Sequence, residues 1–345
     1  MTISELINGK NILVTGGTGS IGSEIVRRLL QYDPKVVRIL SRDETKQFEM
    51  EHELGNLENV RYLIGDVRDK DRLNRAFEEI DIIFHAAAMK HVPACEYNPF
   101  EAVKTNVVGT QNVIEAAIDN EVEKVITIST DKAASPINTM GATKLLAEKL
   151  IIDANFYKGH KKTVFSCVRF GNVMGSRGSV IPLFDKQIRK GGPVTVTDPE
   201  MTRFMMTIPQ AVDLVFKATK MAQGGEIFIF KMPVVKLGDL ANVMIEHLSP
   251  KYGYKPEELQ IETIGIRNGE KMYEHLMNEE EARYAYETED MFVVLPQLIF
   301  SDYFWEGGAK AAQKRYASDD AKVLSLAEIK DLLSSTFQTR KMKKR

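Results

Sequence analysis

The chain has 345 residues, 43% of them hydrophobic and 27% charged, with a formal net charge of −2; that suits one large α/β domain with an appendage, or two domains, and gives no electrostatic case for nucleic acid or an anionic membrane. Only two cysteines occur, Cys95 and Cys167, far apart and in no metal-like spacing, which fits a reducing compartment and excludes a disulfide scaffold. The N-terminus is too polar for a signal peptide, no apolar run approaches the ~20 residues of a membrane helix, and the basic end RKMKKR reads as a solvated tail, so a cytoplasmic protein is expected.

In chain order, NILVTGG, VVRILS, VRYLIGD, IDIIFHAAA, EKVITIST and TVFSCVRFGNV each read as a buried strand. Helix periodicity fills the gaps at 21–31, 70–79, 99–120 and 139–157. This alternation predicts a Rossmann-type, doubly wound parallel sheet covered on both faces. Beyond Gly175 the pattern changes to turn formers and polar residues, followed by a helix in IPQAVDLVFKATK, a strand in EIFIF, a helix in LGDLANVMIEHL and a strand in LQIETIG. The expected division is a dinucleotide-binding domain over 1–175, with returning elements near 205–235. A smaller C-terminal substrate-binding lobe and tail would then take 176–204 and 236–345.

TGGTGSIGSEIV follows the first strand and opens the first helix. Gly17, Gly19 and Gly22 fit G-x-G-x-x-G, and Gly16 adds a fourth glycine. Glycine lets the backbone approach a pyrophosphate whose charge rests on the helix N-terminus, with Thr18, Ser20 and Ile21 in the same loop. At the second strand's tip stand Ser41 and Arg42, with Lys46 one turn on. Cations there suit a 2′-phosphate, so NADP is expected rather than NAD. Asp66, after the third strand, can accept from the adenine amino group and Val67 can pack on the ring. Ala86, Ala87 and Ala88, after the fourth strand, offer close approach to the cofactor or ordinary tight packing.

The fifth strand ends in Ser129, Thr130, Asp131 and Lys132, the usual place for chemistry in such sheets. Lys144 lies on the next helix, four residues after Met140. Many nicotinamide enzymes carry a Tyr where this chain has Met, and Met cannot hand on a proton. His85 and His91 read as structural, and the six histidines form no metal-like set, so no metal is expected.

In this context the sequence resembles the extended short-chain dehydrogenase/reductase family. It is most similar to the soluble UDP-N-acetylglucosamine 4,6-dehydratases of bacterial surface-sugar and flagellin-glycan pathways. TGGTGSIGSEIVR, SRDETKQ, AAAMKHVPACEYNP, TNVVGTQNV, STDKAASPINTMGATK, RFGNVMGSRGSVIPLF, DPEMTRFMMT and RNGEKMYE carry the resemblance, as an ordered set over roughly 10–275. It implies oxidation of the sugar at C4, loss of the C5 proton and the C6 hydroxyl as water, and return of hydride to C6. Asp131 would be the acid, with a raised pKa, and Lys132 the base, with a lowered one. Lys144 would hold the nicotinamide ribose, and Thr130 can hold a water. With Met140 in the Tyr position, Lys132 or an ordered water must accept the C4 hydroxyl proton.

By the same resemblance Lys90 and Asn106 would lie near the sugar and the cofactor. Asn172 would bind the diphosphate or sugar, and Ser179 and Val180 would cover the uracil with Thr195 nearby. Arg203 and Arg267 would clamp the diphosphate, or else be structural ion pairs, and Glu270 would hold ribose hydroxyls. The resemblance also implies a homo-oligomer, dimer or hexamer. Two further readings stand beside it: a UDP-sugar 4-epimerase, which the missing Tyr opposes, and a catalytically silent NADP-binding protein. For C5 the expectation is retention, because Lys132 can return the proton it took; an inverting enzyme would need a second donor on the far face.

Overall fold

A computed structural model describes residues 2–298 and 305–342. Met1, residues 299–304 and the last three residues of the basic tail lie outside it. The first six strands are β1 (Asn11–Thr15), β2 (Val36–Ser41), β3 (Val60–Ile64), β4 (Ile82–His85), β5 (Lys124–Ile128) and β6 (Val164–Arg169). They are joined by Ile227–Phe230 in the order β3-β2-β1-β4-β5-β6-(Ile227–Phe230), all parallel. These are the short apolar runs of the sequence, and β4 is buried at all four positions because helices cover both faces.

Order reverses at β1, which pairs with β2 on one side and β4 on the other. Such a switch point opens a crevice beyond the strand ends. The register aligns Thr15 with Leu40 and with His85, and His85 with Thr127, so the residues that follow these strands share one edge.

Of two long expected helices, one is broken and the other is found whole. The run 99–120 is not one helix but Pro99–Val103, a π-helical turn at Lys104–Val108, and Gly109–Asp119. The run 139–157 is a single helix, Thr139–Tyr157, whose N-cap Asn138 accepts from the Gly141 amide at 2.8 Å. A Cβ at Gly141 would lie 2.4 Å from the Lys132 carbonyl oxygen, so glycine beside Met140 lets this helix pack directly on the Asp131–Ala133 turn.

Residues 172–174 and much of the chain beyond 175 build a second layer. Val234–Lys236, Thr202–Thr207 and Asn172–Met174 form a three-stranded sheet, and Val194–Val196 pairs with Ile261–Thr263. Helices Val180–Arg189, Leu237–Leu248 and Leu326–Met342 pack around a separate core that includes Ile181, Phe184, Met201, Met205, Met244 and Ile329. Not all of the expected lobe stays apart. Met291–Val294, Ala285–Glu287 and Ala309–Lys310 return to the main sheet as antiparallel strands beyond Ile227–Phe230. Buried Arg169, at the end of β6, fastens the layers. It pairs with Glu148 at 2.5 Å and Glu281 at 2.8 Å and donates to the Leu276 carbonyl at 2.9 Å.

Candidate active site

A cleft of about 950 Å³ runs along the switch-point edge, between the glycine loop and the second lobe. Its floor is the loop after β1. Gly16 adopts φ +64, and a Cβ there would sit 2.8 Å from the Ala87 backbone; a Cβ at Gly22 would sit 2.4 Å from the Gly16 carbonyl oxygen. The small residues Ala86–Ala88 and the glycines therefore make one fitted cradle at the N-terminus of helix Ser20–Leu29. Backbone amides aimed into such a cradle suit a dinucleotide diphosphate.

Around the tip of β2, Ser41, Arg42, Lys46, Asp66 and Val67 all line the cleft. The cations there are partnered. Arg42 reaches Asp66 at 3.4 Å while its side chain stays 56% exposed, and Lys46 pairs with Asp43. Asp43 also lines the cleft and caps the following helix; the sequence reading passed over it. Burial opposes ionisation of Asp66, but hydrogen bonds from Arg68, at 2.7 and 3.0 Å, and the charge of Arg42 outweigh it and hold the carboxyl below its ordinary range.

At the other end Ser129, Thr130, Lys132, Met140 and Lys144 line the cleft together. Asp131 does not. It is buried behind them, where its Oδ1 accepts from the Thr130 hydroxyl at 2.7 Å and from Lys132 Nζ at 3.0 Å. Lys132 Nζ also lies 3.5 Å from Glu274 Oε1, on the segment just before strand His275–Met277. Desolvation pushes the Lys132 pKa down, but the Asp131 and Glu274 carboxylates together raise it above its ordinary value. The lowered pKa expected of this lysine is thus not that of the resting site, because a second carboxylate arrives from a distant segment. Burial lowers the pKa of Lys144 instead, and its Nζ donates to the Ile128 carbonyl at 2.7 Å. Met140 is buried against Cys95 and Ala102, with Met89 and Val92 beside it, an apolar wall where a Tyr would need a polar partner.

Asn106 also departs from expectation. Its amide is spent on the backbone of Met89, at 2.8 and 3.0 Å, and on the Thr143 hydroxyl at 3.0 Å, so it splints the loop after β4 to helix Thr139–Tyr157 rather than facing the cleft. His85 is structural, between Thr15 Oγ1 at 2.7 Å and Thr110 Oγ1 at 3.1 Å. Among the residues expected at a substrate, Lys90, Asn172, Ser179, Val180, Thr195, Arg203, Arg267 and Glu270 all line the cleft. Arg203 spends its donors on Met201 Sδ and on the carbonyls of Thr202, Lys271 and Met272, so it frames the site as much as it faces it. Arg267 is half-exposed and stands 4.0 Å from Glu270.

Arg177 was missed. Its amide donates to Ser20 Oγ at 3.0 Å, its guanidinium bonds the Thr18 carbonyl, and its own carbonyl accepts from Lys90 Nζ at 2.8 Å. It straps the loop after Asn172–Met174 over the glycine loop.

A Rossmann-type sheet with a glycine cradle at its switch point and a Thr-Asp-Lys cluster at the end of β5 defines an extended short-chain dehydrogenase/reductase. Residues 12–296 match the model of a family described as polysaccharide biosynthesis protein. The chain belongs to that family. It is 62% identical over 331 residues to a Methanocaldococcus jannaschii protein described as an uncharacterized membrane protein, covering 96% of this chain and 97% of that one. No described helix here is long and apolar enough to cross a membrane. It is 46% identical over 299 residues, 86% of each chain, to a Campylobacter jejuni protein named UDP-N-acetylglucosamine 4,6-dehydratase (inverting). It is 43% identical over 332 residues, 94% of this chain and 95% of that one, to a Rickettsia rickettsii protein named UDP-glucose 4-epimerase. Among solved structures, Pen from Bacillus thuringiensis superposes with a TM-score of 0.89 at 51% identity, covering 95% of this chain and 98% of that one.

Proposed function

We propose that the protein is an NADP-dependent UDP-N-acetylglucosamine 4,6-dehydratase. The observation that carries this reading is the Thr130-Asp131-Lys132 cluster beside the cleft, with Met140 packed where an epimerase would use a phenolic hydroxyl. A dinucleotide held by its diphosphate at the glycine cradle would bring a nicotinamide able to accept hydride from C4 and to return it to C6. Lys144 sits at the Ile128 carbonyl, where its ammonium can hold the ribose. Lys132 faces the cleft; its amine takes the C4 hydroxyl proton, passes it to the Asp131 carboxylate 3.0 Å away, and is then free to take the C5 proton. Asp131, one side chain back and now carrying that proton, gives it to the leaving C6 oxygen through the Thr130 hydroxyl it already holds. Arg42 and Lys46 meet the 2′-phosphate, Arg267 the substrate diphosphate, and Glu270 a ribose.

We read C5 as retained, because Lys132 can return to one face the proton it removed. The inverting name of the Campylobacter jejuni relative favours the opposite outcome. Proton NMR of fresh product separates the two before spontaneous epimerisation. The reaction itself is tested by mass spectrometry of the sugar nucleotide after incubation. Loss of one water supports the dehydratase, an isomer of unchanged mass supports an epimerase like the Rickettsia rickettsii namesake, and unaltered substrate supports a binding protein.

A further inference from the structure

A base must be neutral when it meets its substrate, yet Lys132 rests between two buried carboxylates that favour its ammonium form. The charged groups facing it are Asp131, Glu274 and, more distantly, Arg203. Two anions and two cations leave the group neutral as a whole. Expelling a proton to water would leave a net negative charge in a buried place, which is costly, whereas moving it within the group changes no net charge.

The two carboxylates are not equivalent acceptors. Asp131 Oδ1 receives two donors, the Thr130 hydroxyl at 2.7 Å and Lys132 at 3.0 Å. The Glu274 carboxylate is 4% exposed and has Lys132 at 3.5 Å on one oxygen, while Oε2 is buried without a hydrogen-bond partner among the described residues. Asp131 Oδ2 is likewise buried without a partner among the described residues, so the difference lies in the other oxygen: a proton on Asp131 would displace two hydrogen bonds, whereas one on Glu274 replaces only the 3.5 Å ion pair. Its backbone is fixed on both sides, the amide donating to Ser318 Oγ at 3.0 Å and the carbonyl accepting from Ser318 N at 2.9 Å.

We propose that Glu274 is a positioning residue that acts through Lys132: it accepts a proton from the Lys132 ammonium and so presents the amine to the sugar as a base. The inference rests on the reading of Lys132 as the base. In the step, one Nζ–H bond breaks and a Glu274 Oε1–H bond forms. The freed Nζ lone pair takes the substrate proton. When Lys132 later gives a proton back, Glu274 returns its own, and the ammonium–carboxylate pair is restored.

The test is Glu274→Gln, which keeps shape and removes the acceptor. The expected result is a kcat at neutral pH about 100-fold or more below wild type, with unchanged KM for the sugar nucleotide and unchanged bound cofactor. The remaining rate should climb about tenfold per pH unit towards the Lys132 pKa, where wild type is flat. A pH-independent loss, or a loss carried by KM, would overturn the inference. If the Gln variant does not fold, Glu274→Asp decides. It keeps an acceptor but leaves a methylene-sized gap, so a flat pH profile within about tenfold of wild type supports proton acceptance. A loss larger than that, unresponsive to pH, refutes it. Exchange of the C5 proton in deuterated water separates this inference from the reading beneath it. Wild-type exchange in Lys132→Met removes Lys132 as the base. Exchange lost in Lys132→Met, together with a wild-type rate and pH profile in Glu274→Gln, removes only the role of Glu274.

Discussion

Acidification should unseat the cofactor floor through His85. The ring is fully buried at the end of β4, directly before Ala86–Ala88. Thr110 gives its hydroxyl proton to the Asn106 carbonyl at 2.7 Å, so toward His85 Nε2 it acts as acceptor and Nε2 carries the hydrogen. Nδ1 must then accept from Thr15, whose oxygen also receives the Ala87 amide at 3.3 Å. A second ring proton would leave Thr15 facing two donors. Burial first, and the Lys144 charge second, push the His85 pKa down from 6.5 to about 3. The folded value is depressed, so the neutral ring's contribution is fully present above 6.5 and is lost as pH falls from there towards 3. The gap is worth about 5 kcal/mol in full, of which about 2 kcal/mol is gone by pH 5. Urea unfolding of wild type and His85→Gln at pH 7.5 and pH 5, with nucleotide content read in parallel, isolates the histidine. Wild type should lose about 2 kcal/mol more than the variant over that interval. Equal losses in the two proteins would refute the reasoning.

Acid release of nucleotide from the purified protein should yield NADP, as Arg42 and Lys46 at the β2 tip imply; NAD alone would remove the 2′-phosphate from the account. Met140→Leu should keep much of the activity because Met140 serves as packing, whereas Lys132→Met should block the first oxidation, followed as absorbance of the reduced nicotinamide in a single turnover. Arg169→Met strands Glu148 and Glu281 as buried or half-buried anions and should cost about 3–5 kcal/mol in denaturant unfolding; a loss below about 1 kcal/mol would show the pair to be dispensable.

The strand runs, the glycine loop and the helix 139–157 were legible because each is a local pattern: an apolar run, a turn needing positive φ, a cap before a periodic segment. What was not legible depends on distant partners. Asn106 sits in a motif-like TNVVGT, but the π-helical turn around it points its amide to Met89 and Thr143. Glu274 reads as one of several charges in a polar stretch, and its importance appears only when strand His275–Met277 brings it to Lys132. Arg177 lies in a loop of turn formers, and only the fold lays that loop over Thr18 and Ser20. The lobe strands 172–174 and 194–196 are three residues long and pair with segments far along the chain, too short to show a period.

The central claim is that one bound cofactor moves hydride from C4 to C6 while water is lost between C5 and C6. UDP-N-acetylglucosamine carrying deuterium at C4 tests it directly, read by mass spectrometry and NMR of the product. The account predicts a product lighter by one water with the deuterium in a new C6 methyl group. Deuterium still at C4 in a product of unchanged mass would contradict it and make the protein an epimerase.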